Sequence, residues 1–211
     1  MRKTPVMVFI NKLDREGKDP FTLLDEIEEK LNLNVLPLSW PIGMGKQFQG
    51  VYSLYEKKMV LFTAHGKQAE EDTVTFEDLS DELLDRMVGE TAADTLREEV
   101  ELIEGGYPEL DVETYLNGEV SPVFFGSAIN NFGVRELLDC FTEIAPTPGQ
   151  AQTEERTILP LEDQFTGFVF KIHANIDPKH RNRIAFVRVC SGKFERGKSY
   201  KHIRLGKNLR F

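Results

Sequence analysis

Four polar residues end the first apolar run of this chain. Residues 6–10, Val-Met-Val-Phe-Ile, read as a buried parallel strand, and Asn11-Lys12-Leu13-Asp14 follow at once. In open α/β sheets ligands bind just beyond the carboxyl ends of strands, so polar side chains there are candidate binders. An ionised Asp14 is acceptor-only and can take two neighbouring N–H donors of one ligand together. A second apolar strand, Ser121-Pro122-Val123-Phe124-Phe125, opens into Gly126-Ser127-Ala128, small residues that let the backbone approach a ligand closely. A plain strand, polar turn and helix would explain the same residues, so neither stretch decides the matter by itself.

Asn11-Lys12-Leu13-Asp14 after a strand resembles the guanine-reading motif of GTP-binding proteins. Guanine presents N1–H and N2–H side by side, which suits the Asp14 carboxylate. Adenine has no donor at N1 and would leave that carboxylate unpaired. Hydrogen bonds to charged groups contribute roughly 1.5–3 kcal/mol each, and a site built on them rejects the wrong analogue by about 10⁴–10⁵. The resemblance implies that Asn11 supports the loop and meets the purine edge, while the Lys12 stem covers base and ribose. It further implies that Ser127 and Ala128 give backbone N–H groups to guanine O6, so that the two loops read both halves of the base edge.

The elements that must carry these loops follow α/β grammar. Asp19-Pro20 is a helix N-cap followed by proline at the first helical position. Phe21, Leu24, Ile27 and Leu31 recur at helical spacing, predicting a helix to about Asn32, and residues 35–38 read as a strand. Asp25, Glu26, Glu28 and Glu29 form a solvated helix face rather than a catalytic carboxylate pair. Residues 37–120 change texture: short strands near 38–43, 50–55, 59–62 and 73–76, then a helical stretch capped by Ser80 and restarting at Thr91 after Gly89. A further short helix at 111–117 completes an α+β insertion. Val134, Leu137, Leu138, Phe141 and Ile144 make one apolar helical stripe that ends at Pro146-Thr147-Pro148-Gly149. The expected organisation is a first domain over 1–145, a linker over 146–164, and an antiparallel β-barrel beginning at 165. Three strands, at 165–172, 183–190 and 198–205, cannot close a barrel.

Composition narrows the class. At 211 residues, 40% hydrophobic and 29% charged, the chain has room for one or two ordinary domains. It has no eighteen-residue apolar run and no signal-peptide pattern. Cys140 and Cys190 lack metal-ligand spacing and read as small buried hydrophobes, in keeping with a reducing cytoplasm. No metal site is expected from the four histidines, His65, His173, His180 and His202. The net charge of −9 divides unevenly: residues 1–150 hold 13 Lys+Arg against 29 Asp+Glu, whereas 151–211 hold 13 against 6. Different partners for the acidic and basic parts are expected. In the basic part, Lys179, His180, Arg181 and Arg183 form a loop suited to phosphate contact, ribosomal RNA included, or to plain solvation.

Two look-alike motifs do not supply the missing phosphate chemistry. Gly45-Lys46 is the one near match to Gly-x₄-Gly-Lys-Ser/Thr, but Trp40 stands at the first glycine and Gln47 at the hydroxyl. Asp14-Arg15-Glu16-Gly17 fits Asp-x-x-Gly, yet Asp14 is committed to the base. Without a phosphate loop and its Mg²⁺ ligand, phosphoryl transfer lacks its main clamp. The chain therefore reads as an internal piece of a longer GTPase, the second half of a P-loop G domain with its insertion. On that reading, missing neighbours would leave apolar faces and a strand edge open.

Taken together, Asn11-Lys12-Leu13-Asp14-Arg15-Glu16, Trp40-Pro41-Ile42-Gly43, Pro122-Val123-Phe124-Phe125-Gly126-Ser127-Ala128 and Asn131-Phe132-Gly133-Val134 resemble the translational GTPases. Trp40-Pro41-Ile42-Gly43 and Asp177-Pro178-Lys179-His180-Arg181 resemble in particular the bacterial class II peptide chain release factors. That resemblance implies GTP and GDP as ligands, Mg²⁺ held by residues elsewhere in the longer protein, and the ribosome and class I release factors as partners. It also implies that hydrolysis belongs to residues outside this chain. An elongation factor G-like GTPase and a nucleotide-independent ribosome-binding module are the alternatives.

Overall fold

The computed structural model describes residues 4–62, 71–75, 79–174 and 183–210, which fall into two compact units, 1–145 and 146–211. The first unit begins with β1 (Val8–Ile10), α1 (Pro20–Leu31) and β2 (Val35–Pro37). An antiparallel run follows: β3 (Ser39–Ile42), β4 (Gly50–Ser53), β5 (Lys58–Phe62) and β6 (Glu71–Thr75). Then come α2 (Glu82–Val88), α3 (Glu90–Gly106), α4 (Val112–Leu116), β7 (Ser121–Phe125) and α5 (Val134–Ile144).

Local chemistry explains where α1 lies. The Asp19 carboxylate accepts the N–H groups of Phe21 and Thr22, at 2.9 and 3.2 Å, satisfying donors that a first helical turn leaves open. Pro20 has no N–H to satisfy. At the other end Asn32 adopts left-handed backbone, φ 52°, and its N–H returns to the Glu28 carbonyl. Two acids of the face expected to be solvated make structural contacts: Glu26 pairs with Lys18 and Lys30, and Glu28 Oε1 accepts the Val35 N–H at 3.1 Å.

Three parallel strands carry the binding loops, in the order β1-β7-β2. Val123, Phe124 and Phe125 are buried on both faces of the central strand, as the unbroken apolar run of β7 demands. The fully buried first strand of the sequence reading is instead a half-buried edge strand, because it pairs only with β7 among the described residues. The insertion forms the four-stranded sheet β3-β4-β5-β6, and it is tied to the site strand by a buried bond. The Phe125 N–H donates to Ser39 Oγ at 3.0 Å, with Ser39 itself inaccessible to solvent.

Helix boundaries in the insertion follow side-chain capping. Asp81, not Ser80, caps α2, its carboxylate accepting the Leu83 N–H at 2.8 Å. Gly89 takes φ 88° between α2 and α3. Arg97 clamps the pair, reaching both Asp85 oxygens at 2.8 Å and the Leu79 carbonyl at 2.8 Å. The guanidinium beside Asp85 holds its carboxyl below the usual range. A lowered folded-state pKa means this contribution is complete above about pH 4 and is lost as pH falls through the lowered value. Between about pH 5 and pH 2, Arg97→Gln should therefore lose less thermal stability than the parent chain, measured by melting at each pH.

The stripe on α5 only partly faces inward. Cys140 and Ile144 are buried, but Leu138 and Phe141 are 51% and 47% exposed. Cys140 is packed as expected, and burial pushes its thiol up to about 11, so it is chemically quiet. Cys190, in contrast, is only half-buried.

The second unit contains β8 (Ala151–Gln152), β9 (Thr157–Ile158), β10 (Thr166–Ala174), β11 (Arg183–Ser191), β12 (Ser199–His202) and β13 (Lys207–Arg210). The stretch read as a linker thus holds the β8–β9 hairpin, whose Thr153 side chain bonds Arg156 across the turn. The strand expected to run to Leu205 stops at His202. A 3-10 turn, Ile203–Leu205, and Gly206 at φ 59° reverse the chain into β13. Phe165, Phe194 and Tyr200 form an aromatic cluster in this unit, with ring centroids 4.7–5.4 Å apart. Phe168, Phe170, Ile172 and Ile184 remain about half exposed on the β10–β11 ribbon.

Candidate functional site

The carboxyl ends of β1 and β7 lie side by side, since Ile10 is paired in register with Phe125. The loops that leave them are bonded at four points. Gly126 N–H donates to the Ile10 carbonyl at 3.0 Å, and Leu13 N–H to the Gly126 carbonyl at 3.1 Å. The other two bonds use the polar side chains themselves. Asn11 Oδ1 accepts the Ala128 N–H at 2.9 Å, and Ser127 Oγ donates to Asp14 Oδ1 at 2.6 Å. Residues 113 positions apart in sequence thus form one polar surface.

Each side chain is positioned for a local reason. Asn11 Oδ1 also takes the N–H of Lys12 at 2.8 Å, holding Lys12 in left-handed backbone, φ 72°. A non-glycine residue in that region is uncommon and concentrates at binding sites. Leu13 is buried and anchors the loop to the core, while Asn11 and Lys12 stay exposed. The Leu13 carbonyl accepts the Gly45 N–H at 2.8 Å, so the stretch that mimics a phosphate loop is a 3-10 turn bracing the first binding loop.

The second loop differs from the sequence reading in one respect. That reading has both of its amides facing a ligand oxygen. The Ser127 N–H instead donates to the Phe132 carbonyl at 2.9 Å, closing a two-residue bridge with the Phe132 N–H. Only the Ala128 N–H stands at the surface of the site, and the Asn11 side-chain oxygen occupies it. A ligand carbonyl would have to replace that oxygen.

Two contributors, Asn130 and Ile129, escape the sequence reading. Asn130 Nδ2 donates to Ser127 Oγ at 3.0 Å, which directs the hydroxyl proton toward Asp14. Ile129 follows Ala128 with its side chain 84% exposed. Gly126 has no room for a side chain: a Cβ there would meet the Phe132 carbonyl oxygen at 2.1 Å. The phrase Asn131-Phe132-Gly133 carries the signal for this turn, since Asn131 and Gly133 both take left-handed backbone, φ 60° and 72°. Gly126→Ala should displace the second loop and cost about 1–3 kcal/mol, read by denaturant melts.

Lys179, His180 and Arg181 lie outside the described residues; Arg183 opens β11 and is exposed. Among the described residues no three His, Cys, Asp or Glu side chains are grouped to hold a metal ion. No helix among them is long and apolar enough to cross a membrane.

Comparison with known families decides the class. The family model described as elongation factor Tu GTP binding domain matches residues 1–147. The chain belongs to the translational GTPases. Residues 164–211 match a second model, elongation factor G domain 2, so a GTPase domain is followed by a β domain in this member of the family. A protein of Thermus thermophilus, known from its crystal structure, has the same fold, with TM-score 0.61 and 23% identity over 98% of this chain. The chain spans 30% of the length of that protein.

Proposed function

We propose that this chain is the guanine-reading part of a longer translational GTPase, and that the parent acts in translation termination. The observation that carries the first half is the pair of bonds joining the loops, Asn11 to Ala128 and Ser127 to Asp14. With Ser127 held on one carboxylate oxygen, Asp14 is oriented to accept guanine N1–H and N2–H. Guanine O6 takes the Ala128 N–H in place of Asn11 Oδ1. Lys12 and Ile129, both exposed, cover the two faces of the base. Phosphate binding, Mg²⁺ and hydrolysis belong to residues that this sequence does not contain, and the chain alone should not hydrolyse GTP.

The termination role rests on the resemblance of Trp40-Pro41-Ile42-Gly43 and the Asp177-Pro178-Lys179-His180-Arg181 loop to release factor three. In that role the cytoplasmic parent uses its GTP cycle on the ribosome to remove class I release factors. Residues 165–211 carry 12 Lys+Arg and 2 Asp+Glu, a balance suited to ribosomal RNA phosphates, with Lys179, His180, Arg181 and Arg183 as the contacts. The match of residues 164–211 to elongation factor G domain 2 favours a second reading, an elongation factor G-like GTPase.

Ribosomes holding a labelled class I release factor after peptide release separate these readings. The full-length protein with GTP should speed departure of the label. A protein that leaves the label in place and instead moves tRNA through a pre-translocation ribosome is the elongation-type GTPase.

A further inference from the structure

A cleft of about 580 Å³ lies between the end of β3, the 3-10 turn at 45–47 and the α2–α3 junction. Its walls are mixed: Pro41, Ile42, Val88, Ala92 and Leu96 are apolar, glutamine and threonine side chains and Lys46 are not, and one carboxylate, Glu99, enters it from α3. Pockets of roughly 300–1,000 Å³ with apolar walls and a few fixed polar groups are the usual dimensions of small-molecule sites.

Glu99 is half-buried and rigidly held. Its Oε2 accepts the indole N–H of Trp40 at 2.7 Å, and Trp40 is locked in the core against Phe21 and Phe125. No salt bridge reaches Glu99 among the described residues; Lys46, which also lines the cleft, does not pair with it. Burial raises the Glu99 pKa, and the nearby charges of Asp19 and Glu98 raise it further, against the Trp40 hydrogen bond. Such a site gains when a cation enters, because the cation offsets both the burial and the like charges.

We propose that this cleft binds a small organic cation, a protonated amine on an apolar body, with Glu99 as its counter-ion. The apolar body fills the space along Ile42, Val88 and Leu96 while the ammonium meets the Glu99 oxygen that Trp40 leaves open. The volume suits a small molecule rather than a docked protein surface.

Trp40 is the only tryptophan of the chain, so its fluorescence and its single indole N–H resonance report on Glu99 without further labelling. The probes are 3-methylbutylamine and its neutral counterpart 3-methylbutanol, titrated near neutral pH. The amine should give a saturable change in both signals, and the alcohol should bind about tenfold more weakly or worse. Glu99→Gln keeps an oxygen for the indole bond but removes the charge, and should abolish the preference for the amine. Thr95→Arg sets a guanidinium one helical turn from Glu99 and should block the amine by occupying its partner. Equal affinity for amine and alcohol, an unchanged preference in both variants, or no saturable response overturns the proposal. Binding of the tripeptide Gly-Lys-Gly about tenfold more tightly than the amine overturns the small-molecule assignment.

Discussion

Asp14→Asn, placed in a full-length GTPase carrying this chain, should weaken GDP binding by about 3 kcal/mol or more, over a hundredfold. The reason is a reversal of polarity at one atom. The Asn side-chain oxygen can still accept the Ser127 hydroxyl, so the 2.6 Å bond that joins the loops need not be lost. The new amide N–H₂ then faces the N–H groups of guanine, donor against donor. Xanthosine diphosphate carries a carbonyl where guanine has its 2-amino group, and it should gain on GDP in the variant. Competition against a fluorescent guanine nucleotide measures both. Unchanged preference for GDP would remove Asp14 from the role assigned to it.

Trp40→Ala should lower the stability of the first unit by about 3–5 kcal/mol, roughly 10–15 °C in melting temperature. Trp40 is completely buried, with ring centroids 4.6 Å from Phe21 and 5.2 Å from Phe125. Truncation opens a large cavity between α1, β3 and β7. It also strips the half-buried Glu99 carboxylate of its donor, which costs more than the lost packing alone. Trp40→Phe weights the two terms differently, since it keeps the larger part of the ring packing but has no N–H for Glu99. A loss of about 1–2 kcal/mol is expected there. Because Phe125 leads directly into Gly126-Ser127-Ala128, the alanine variant should also weaken whatever the second loop binds.

Much of this architecture was legible because it depends on short-range chemistry. Asp19-Pro20 announced α1 through one cap and one missing N–H, and the apolar run at 122–125 announced a buried strand. The residues that meet at the site were also legible, as two strand ends followed by polar or small residues. What sequence could not show was how the loops use their own hydrogen bonds. The Ser127 amide is consumed by Phe132 and the Ala128 amide by Asn11, and both choices depend on the turn at Asn131-Gly133.

Long-range placement set the other differences. Nothing local marks β1 as an edge strand, since its neighbours are fixed by β7 more than a hundred residues later. The Leu138 and Phe141 positions fit the helical period, yet the surface that α5 meets is narrower than the stripe. The β8–β9 hairpin is two residues per strand, too short for any period-two pattern to register. Ile129 and Asn130 contribute through geometry alone, the one by standing exposed and the other by turning the Ser127 hydroxyl.

The central claim is that these two loops read guanine. The most direct measurement is an amide-resolved magnetic resonance titration of this chain with GDP and, in parallel, ADP. Without a phosphate cradle the affinity should be weak, with Kd on the order of 1 mM. GDP should move the amides of Asn11–Asp14 and of Ser127–Ala128, the Ala128 amide most, as its N–H exchanges Asn11 Oδ1 for guanine O6. ADP should leave them in place. Equal shifts with ADP, or no response of these amides to GDP at about 10 mM, would contradict the account.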